Sequence, residues 1–500
     1  MGATTHTIGR QHLRATLALS CLAQFMVILD VSVVNVALPS IRSALHFSEQ
    51  DLQWVVNAYT VTFAGFMLLG GRAADLIGRR RVFVSGLLLF GLASLAGGMA
   101  QNQGTLIAAR AVQGLGGAVI APASLSILTS TFEEGAARNR AVGVWGAMGA
   151  AGGSAGVLLG GILTDLLSWR WILFINVPIG VVAALLAQHY IAEGRNPERA
   201  RSFDLSGAVT ATAGLSLLVF AIVRTDVTGW GSASTLALMA GGIVLLILFV
   251  AIEGRFAKSP LMPLRIYASR TLTVSNVVML LLGAAVFAMW FFVSLYLQQV
   301  LGYTPIQAGL AFLPMTFTIA TFSTLAPRLV RRFGAKSLLV AGMLLLTVGL
   351  LLFTDISVGG SYAANVLAPS LLVAAGLGIA FVPVTISAVA GVAPSEAGLA
   401  SALVNTARLF GGALGLAILA AIATARTNSD LHHFVGTQAV HSALTDGFQL
   451  AFVFAAAFAL AGGIIAALLL PQVRPGAGAG QRAAPADAEQ RAAVAAESVN

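Results

Sequence analysis

Of the 19 acidic residues in this 500-residue chain, only Asp30 sits well inside a long apolar run. Those beside other runs, among them Glu49, Asp51, Asp165, Glu253, Glu396 and Asp446, fall at or beyond their ends. An ionisable group deep in hydrocarbon costs about 2.5 to 3.5 kcal/mol on insertion scales, so it asks for a partner and a use. At 1.5 Å per helical residue, Asp30 is about 13 Å from Pro39 at one end of its run, and Arg110 is about 8 Å from Thr105 at the same end of another. A carboxylate beside a guanidinium stays ionised, whereas burial without that neighbour favours the protonated acid. A helix shift that alters the Asp30 to Arg110 separation would therefore alter proton affinity, which makes Asp30 a candidate proton carrier and Arg110 its modulator. The alternative is a permanent buried ion pair that only registers two helices.

Arg110, Gln113, Gly114 and Gly117 recur at i, i+3, i+4 and i+7 and share one helix face, which is expected to look into a central cavity. Asn35 is about 140° round the helix from Asp30, so it is either a second cavity contact or a hydrogen bond to a neighbouring helix. Aromatic residues suited to an apolar cavity are Trp54, Tyr59, Phe63 and Phe66 in one run, and Phe287, Trp290, Phe291 and Tyr296 with Gln298 in another; about half are expected to line it. Arg408, about 17 Å into its run, has no acidic partner in the C-terminal half; carbonyls are expected to hold it, or else an anionic group of a bound molecule. His432, His433 and His441 read as a solvated loop rather than a metal site.

These residues are carried by a chain that is 58% hydrophobic and 9% charged, with a mean hydropathy of +0.89. Soluble domains are about a quarter charged, and no soluble enzyme, nucleic-acid-binding module or disordered scaffold could hide so much apolar surface from water. The reading is an all-α integral membrane protein. Cys21, the one cysteine, excludes an intramolecular disulfide and a cysteine-built metal cluster. Fourteen stretches reach the roughly 20 apolar residues that a span needs: 14–38, 52–72, 82–101, 105–130, 140–164, 170–192, 205–224, 233–253, 271–298, 305–327, 337–354, 364–391, 398–425 and 447–470. With the N-terminus inside, 22 of the 28 Lys and Arg residues fall in inner connections and tails, while Arg42, Arg170, Arg224 and Arg426 lie outside and Arg110 and Arg408 within spans. Basic residues favour the cytoplasmic side, so both termini are expected there, and the net charge of +9 belongs to the membrane rather than to nucleic acid.

Two landmarks recur. After span 2 come Gly71, Asp75, Gly78, Arg79 and Arg80; after span 10 come Pro327, Arg331, Gly334 and Lys336, with Gly334 at 256 residues (334 − 78) from Gly78. Span 5 holds Gly152, Gly153 and Gly156 and span 13 holds Gly411, Gly412 and Gly415, an offset of 259 (411 − 152). Spans 1 to 6 therefore correspond to spans 9 to 14, with spans 7 and 8 inserted. Weak internal symmetry of this kind marks transporters made of two helical bundles. Gly152, Gly156 and Gly160, like Gly411, Gly412 and Gly415, would allow the close helix approach that a rocking interface between bundles needs.

The chain is similar over residues 14–470 to the major facilitator superfamily, in particular its 14-span drug:proton antiporter branch. The loop Gly71 to Arg80 resembles the superfamily signature between spans 2 and 3, Leu29 to Pro39 the branch's span 1 motif, Arg110 to Gly114 its span 4 motif, and Trp169-Arg170-Trp171 with Asn176-Val177-Pro178 its entry to span 6. The antiporter motif of span 5 departs from the pattern, with Gly153 and Val157 where proline is expected. The resemblance implies a major facilitator fold: an N-terminal tail (1–13), a six-helix bundle (14–192), a linker with two extra spans (193–270), a second bundle (271–470) and a disordered tail (471–500). It also implies that Asp75, Arg79 and Arg80, with Gly71 and Gly78, latch the bundles on the inner side.

The expected function is proton-coupled efflux of amphipathic toxic molecules across a bacterial cytoplasmic membrane by alternating access. The proton gradient would drive it without a cofactor, since no G-x-x-x-x-G-K-[ST] phosphate loop occurs. Expected partners are the small molecule, protons and lipid, with the chain a monomer that binds no nucleic acid. A lone deep carboxylate favours cationic substrates. The rivals are an uptake symporter on the same fold and a membrane-embedded lipid enzyme, though no paired carboxylates or His-Asp cluster at one interface supports the latter.

Overall fold

The computed structural model describes residues 10–133, 136–193, 204–257, 260, 262–390, 392, 396–431 and 437–471. In hydrocarbon every backbone N–H and C=O must be satisfied within its own segment, and the apolar runs accordingly form helices, with no strand among the described residues. The long helices are α1 (Arg10–Leu45), α2 (Trp54–Ile77), α3 (Arg79–Gly98), α4 (Gln103–Thr131), α5 (Ala136–Leu166), α6 (Trp171–Tyr190), α7 (Leu205–Val223), α8 (Ala233–Phe256), α9 (Arg270–Val300), α10 (Pro305–Phe333), α11 (Ala335–Asp355), α12 (Tyr362–Ala390), α13 (Ala397–Leu431) and α14 (Thr437–Leu469). Among the described residues thirteen are long and apolar enough by length and composition to cross a membrane; α2, with 24 residues, packs among them. The chain is a multi-pass membrane protein.

Side-chain caps close several helix starts, where the first N–H groups lack partners. Asn102 Oδ1 accepts from Thr105 N at 2.9 Å before α4, and Thr304 and Gln307 form a reciprocal capping box before α10. The joints α2–α3 and α10–α11 are each a single glycine, Gly78 at φ +121° and Gly334 at φ +83°. That left-handed backbone is cheap only without a Cβ. The pair 256 residues apart thus marks the same sharp joint in both halves.

Helix pairing repeats the duplication. The pairs α1–α5, α2–α4, α3–α4, α3–α6 and α1–α6 in the first half recur as α9–α13, α10–α12, α11–α12, α11–α14 and α9–α14 in the second. The halves meet along two seams, α2–α13 and α5–α10, which the duplication exchanges. The inserted α7 lies over the first seam, where Val61, Leu215, Val219, Ala413, Ala417 and Ala421 form a buried apolar cluster. α8 packs on α7 and presents Leu236, Ile243, Val244 and Ile247 outward.

Several boundaries differ from the sequence reading. α1 continues through Pro39 to Leu45. α13 and α14 extend past the apolar runs, which places Asp446 and His441 inside α14 rather than beyond its end; His432 and His433 lie outside the described residues. Most of the 193–203 connection and the tail after Pro471 lie outside them as well.

Candidate functional site

Asp30 and Arg110 meet within the first half. Arg110 Nη1 lies 2.5 Å from Asp30 Oδ2, with exposures of 2% and 0%. α1 and α4 pack side by side, and the matched depths read from the sequence place the two groups level. Asp30 Oδ1 accepts from Gln113 Nε2 at 2.7 Å and from Asn176 Nδ2 at 2.9 Å. Arg110 also donates to Val55 O at 3.0 Å and to Gln113 Oε1 at 2.7 Å. Ser94 Oγ accepts from Gln113 and Asn176 and donates to Leu173 O at 2.8 Å, so α3 and α6 complete the cage. A buried charge persists where it is paired and its remaining lone pairs are hydrogen-bonded, and Asp30 meets both conditions. Asn176 was not foreseen as its partner, nor Ser94 as the brace behind Gln113 and Asn176. Asn176 stands in the Asn-Val-Pro motif that opens span 6, which was the available signal; nothing in the sequence marks Ser94.

A cavity of about 470 Å³ lies between the halves, lined by α1, α2, α5, α9, α10, α12 and α13, within the range of small-molecule sites. Asn35, Tyr59 and Trp290 line it together with Phe63, Phe287 and Phe381. Asn35 resolves as a cavity residue, its side-chain amide donating back to Val31 O at 3.1 Å. Tyr59 is the wall between cavity and cage: its ring lines the former and lies 4.5 Å beneath the Arg110 guanidinium, and it stacks on Phe63 at 5.7 Å.

Three expected cavity residues are not there. Gln113 faces the Asp30 cage, because its helix face packs on α1 and α2 inside the first half. Tyr296 is buried and donates its hydroxyl to Ser357 O at 2.7 Å. Gln298 joins a closure at the end where α1 finishes, remote from the start of α1 and the end of α14. There Gln298 Nε2 donates to Val36 O at 2.9 Å, Ser294 Oγ to Asn35 O at 2.6 Å and Arg42 Nη1 to Gln299 Oε1 at 3.1 Å, tying α1 to α9. From the other direction, the lining residues Gly146, Ser323 and Phe381 reach toward the end where α1 starts and α14 finishes.

The glycine stripes also face differently. A Cβ on Gly152, Gly156 or Gly160 would meet Phe25 O, Leu29 O or Val33 O of α1, and one on Gly411, Gly412 or Gly415 would meet Leu280, Phe287 or Ala284 of α9. These glycines hold helices close within each half rather than between halves. At the α5–α10 seam the close approach belongs to Gly161, against Pro305, and to Gly309, against Val157 O. α5 runs unbroken from Ala136 to Leu166, consistent with the missing prolines.

At the loop after α2, Arg80 and Arg81 each place Nε 3.5 Å from Glu193 Oε2, and Arg80 Nη1 donates to Gln188 O and Ile191 O. This ties α3 to the end of α6 inside one half, whereas a latch would cross between halves. Gly71 abuts Pro122 of α4 in the same half. Arg79 is also engaged, and the Asp75 side chain lies outside the described residues. Glu193 was not anticipated as the acid in this cluster. No group of three or more His, Cys, Asp or Glu residues is placed to hold a metal among the described residues.

Residues 20–416 match the Major Facilitator Superfamily. The chain is 42% identical, over 91% of its length and 92% of the relative's, to the cephamycin export protein CmcT of Amycolatopsis lactamdurans. It is 39% identical, over 90% and 89%, to the puromycin resistance protein pur8 of Streptomyces alboniger. A bacterial homolog of the human lysosomal transporter Spinster, solved inward-facing and unoccupied, shares the fold with a TM-score of 0.67 at 15% identity, covering 92% of this chain and 97% of that one. With two six-helix halves repeated in pairing and a cavity between them, the chain belongs to the major facilitator superfamily.

Proposed function

We propose that the chain exports amphipathic toxic small molecules, antibiotics among them, across a bacterial cytoplasmic membrane in exchange for protons, as a monomer with both termini in the cytoplasm. The observation that carries this reading is the Asp30 cage: one carboxylate, fully buried against Arg110 and separated from a substrate-sized cavity by the Tyr59 ring. A rearrangement of α1 against α4 that parts Asp30 from Arg110 makes the carboxylate take a proton, and the return of Arg110 expels it. Tyr59 touches both compartments, so an occupant of the cavity bears on the position of Arg110. The closure between α1 and α9, with the cavity extending toward the terminal end, corresponds in this reading to an inward-facing state awaiting substrate. The roles of CmcT and pur8 as exporter and resistance protein support efflux as the direction.

The test is a drug-susceptibility panel in a pump-deficient bacterial host, with cell-associated drug measured with and without an uncoupler. The chain is expected to lower cell-associated drug for at least one amphipathic antibiotic, and the uncoupler to abolish the effect. Accumulation raised by expression, or lowered equally in uncoupled cells, would overturn the reading.

A further inference from the structure

Among the described residues the wall of the central cavity holds one charged side chain, and it is basic. Its lining is apolar and aromatic with a few neutral polar groups, Ser32, Asn35, Thr60 and Ser154 among them; of the described lining residues Arg408 alone carries charge. Asp30, the acid from which a preference for cations was expected, does not line the cavity: it is wholly enclosed by Arg110, Gln113 and Asn176. Arg408 makes no ion pair with a carboxylate among the described residues. Its Nε and Nη2 both donate to Asn405 Oδ1, at 3.1 and 2.9 Å, and its Cζ lies 5.7 Å from the centroid of Phe287. Asn405, one turn earlier on α13, thus braces one edge of the guanidinium, and a cavity-lining ring flanks it. The Arg408 carbonyl is held against Gly283 of α9, so the backbone that carries the side chain is fixed by close packing. A guanidinium presents a planar fork of donors that matches a carboxylate or sulfonate. A cation in a low-dielectric cavity with one neutral acceptor has most to gain from an anion.

We infer that Arg408, positioned by Asn405, is an anion subsite in the cavity wall, and that the molecules bound there include amphipathic anions. The charged group meets the guanidinium and the apolar body lies against Phe287, Trp290 and Phe381. The inference rests on the export reading only for the claim that this cavity is the substrate's path; the charge of the subsite is independent of transport direction and of proton coupling.

The test uses the full chain in phosphatidylcholine nanodiscs and two probes of nearly equal size that differ in one terminal group, dansylglycine (a carboxylate) and dansylglycinamide (a neutral amide), with binding followed by dansyl fluorescence and empty nanodiscs subtracted. The wild type is expected to bind dansylglycine about tenfold more tightly, a difference of about 1.4 kcal/mol. Arg408→Gln is expected to bring the two probes within about twofold by weakening the anion alone. Arg408→Lys keeps the charge without the fork and is expected to retain a preference of about threefold. Equal binding of the two probes by the wild type, an undiminished preference in Arg408→Gln, or failure of the wild type to bind either probe would each overturn the subsite. If Arg408→Gln fails to fold, Arg408→Lys decides: binding of both probes alike or an undiminished preference overturns the fork, and an intermediate preference supports it. Loss of the preference in a protein that still exports drug under a proton gradient removes the subsite and spares the export reading. An anion preference in a protein that moves no drug does the reverse.

Discussion

Replacing Asp30 by asparagine removes the charge and almost nothing else in volume. In the cage, Asp30 Oδ1 accepts two amide donors and Oδ2 accepts Arg110 Nη1. Asparagine brings one acceptor oxygen and one donor amide to a place that supplies only donors, so one donor pair must face each other. Arg110, 2% exposed, keeps Val55 O and Gln113 Oε1 but loses its counter-charge. Removing one partner of a buried ion pair costs about 3 to 5 kcal/mol, so Asp30→Asn is expected to lower the thermal midpoint of the purified protein. Asp30→Asn combined with Arg110→Gln should recover part of that loss, because the stranded cation goes too. Transport separates coupling from stability. One proton carried per cycle across about 100 mV supplies about 2.3 kcal/mol, enough for roughly a 50-fold concentration ratio. In inverted vesicles energised by a proton gradient, Asp30→Asn should lose that accumulation while still exchanging labelled for unlabelled drug when no gradient is imposed. Full gradient-driven accumulation by Asp30→Asn would refute the coupling role. Loss of both activities in a folded variant would refute the separation of cage from cavity.

Other perturbations follow from the same geometry. Gly309→Leu puts a Cβ 2.7 Å from Val157 O across the α5–α10 seam; overpacking of this kind costs about 1 to 3 kcal/mol, and transport is expected to fall with normal expression in the membrane. Ser294→Ala with Gln298→Ala removes two hydrogen bonds between α1 and α9, each contributing about 0.5 to 1.5 kcal/mol. The double variant should open the remote end more often, read as faster labelling of a cysteine placed at Asn35 in a Cys21→Ser background. Trp290→Ala removes a ring that lines the cavity and packs on Phe312 at 4.8 Å, and is expected to lower resistance to bulky aromatic drugs more than to small ones. Glu193→Gln loosens the Arg80 and Arg81 contacts, but these are partly exposed; pairs of this kind contribute under about 1 kcal/mol, so the melting temperature should barely move.

The fold was legible because burial in hydrocarbon leaves few choices. Each apolar run had to be a helix, and the recurrence of Gly78 as Gly334 already told that the same joint occurs twice. The depth of Asp30 against that of Arg110 was also readable, since rise per residue is fixed along a straight helix. Which side of a helix faces a cavity was not. In a soluble protein the polar face looks outward, but here lipid, packed interior and cavity are all apolar, so the i, i+3, i+4 spacing of Arg110, Gln113 and Gly114 identified a shared face without identifying its neighbour. The same ambiguity misdirected Tyr296 and Gln298, since α9 is enclosed on most sides. It also misdirected the glycine stripes: small residues show that something comes close, and only the packing shows that α1 and α9, not the opposite half, are what approach. Ser94 joins the Asp30 cage from α3 through Gln113 and Asn176, a distance in sequence that no local pattern bridges.

The inserted α7 is mounted unequally on its two neighbours. Toward α2 it is keyed, because Thr212 occupies the notch left by Gly65 so tightly that no side chain could be added there. Toward α13 it meets the short methyl groups of Ala413, Ala417 and Ala421, a surface with little to grip. In the proposed alternating-access cycle, this packing is expected to let α13 glide past while α7, with α8 attached, stays with α2. In that cycle the extra pair would act as a bearing cap bolted to one side of a hinge, roofing one flank of the molecule while the opposite flank, α5 beside α10, carries no such cover among the described residues.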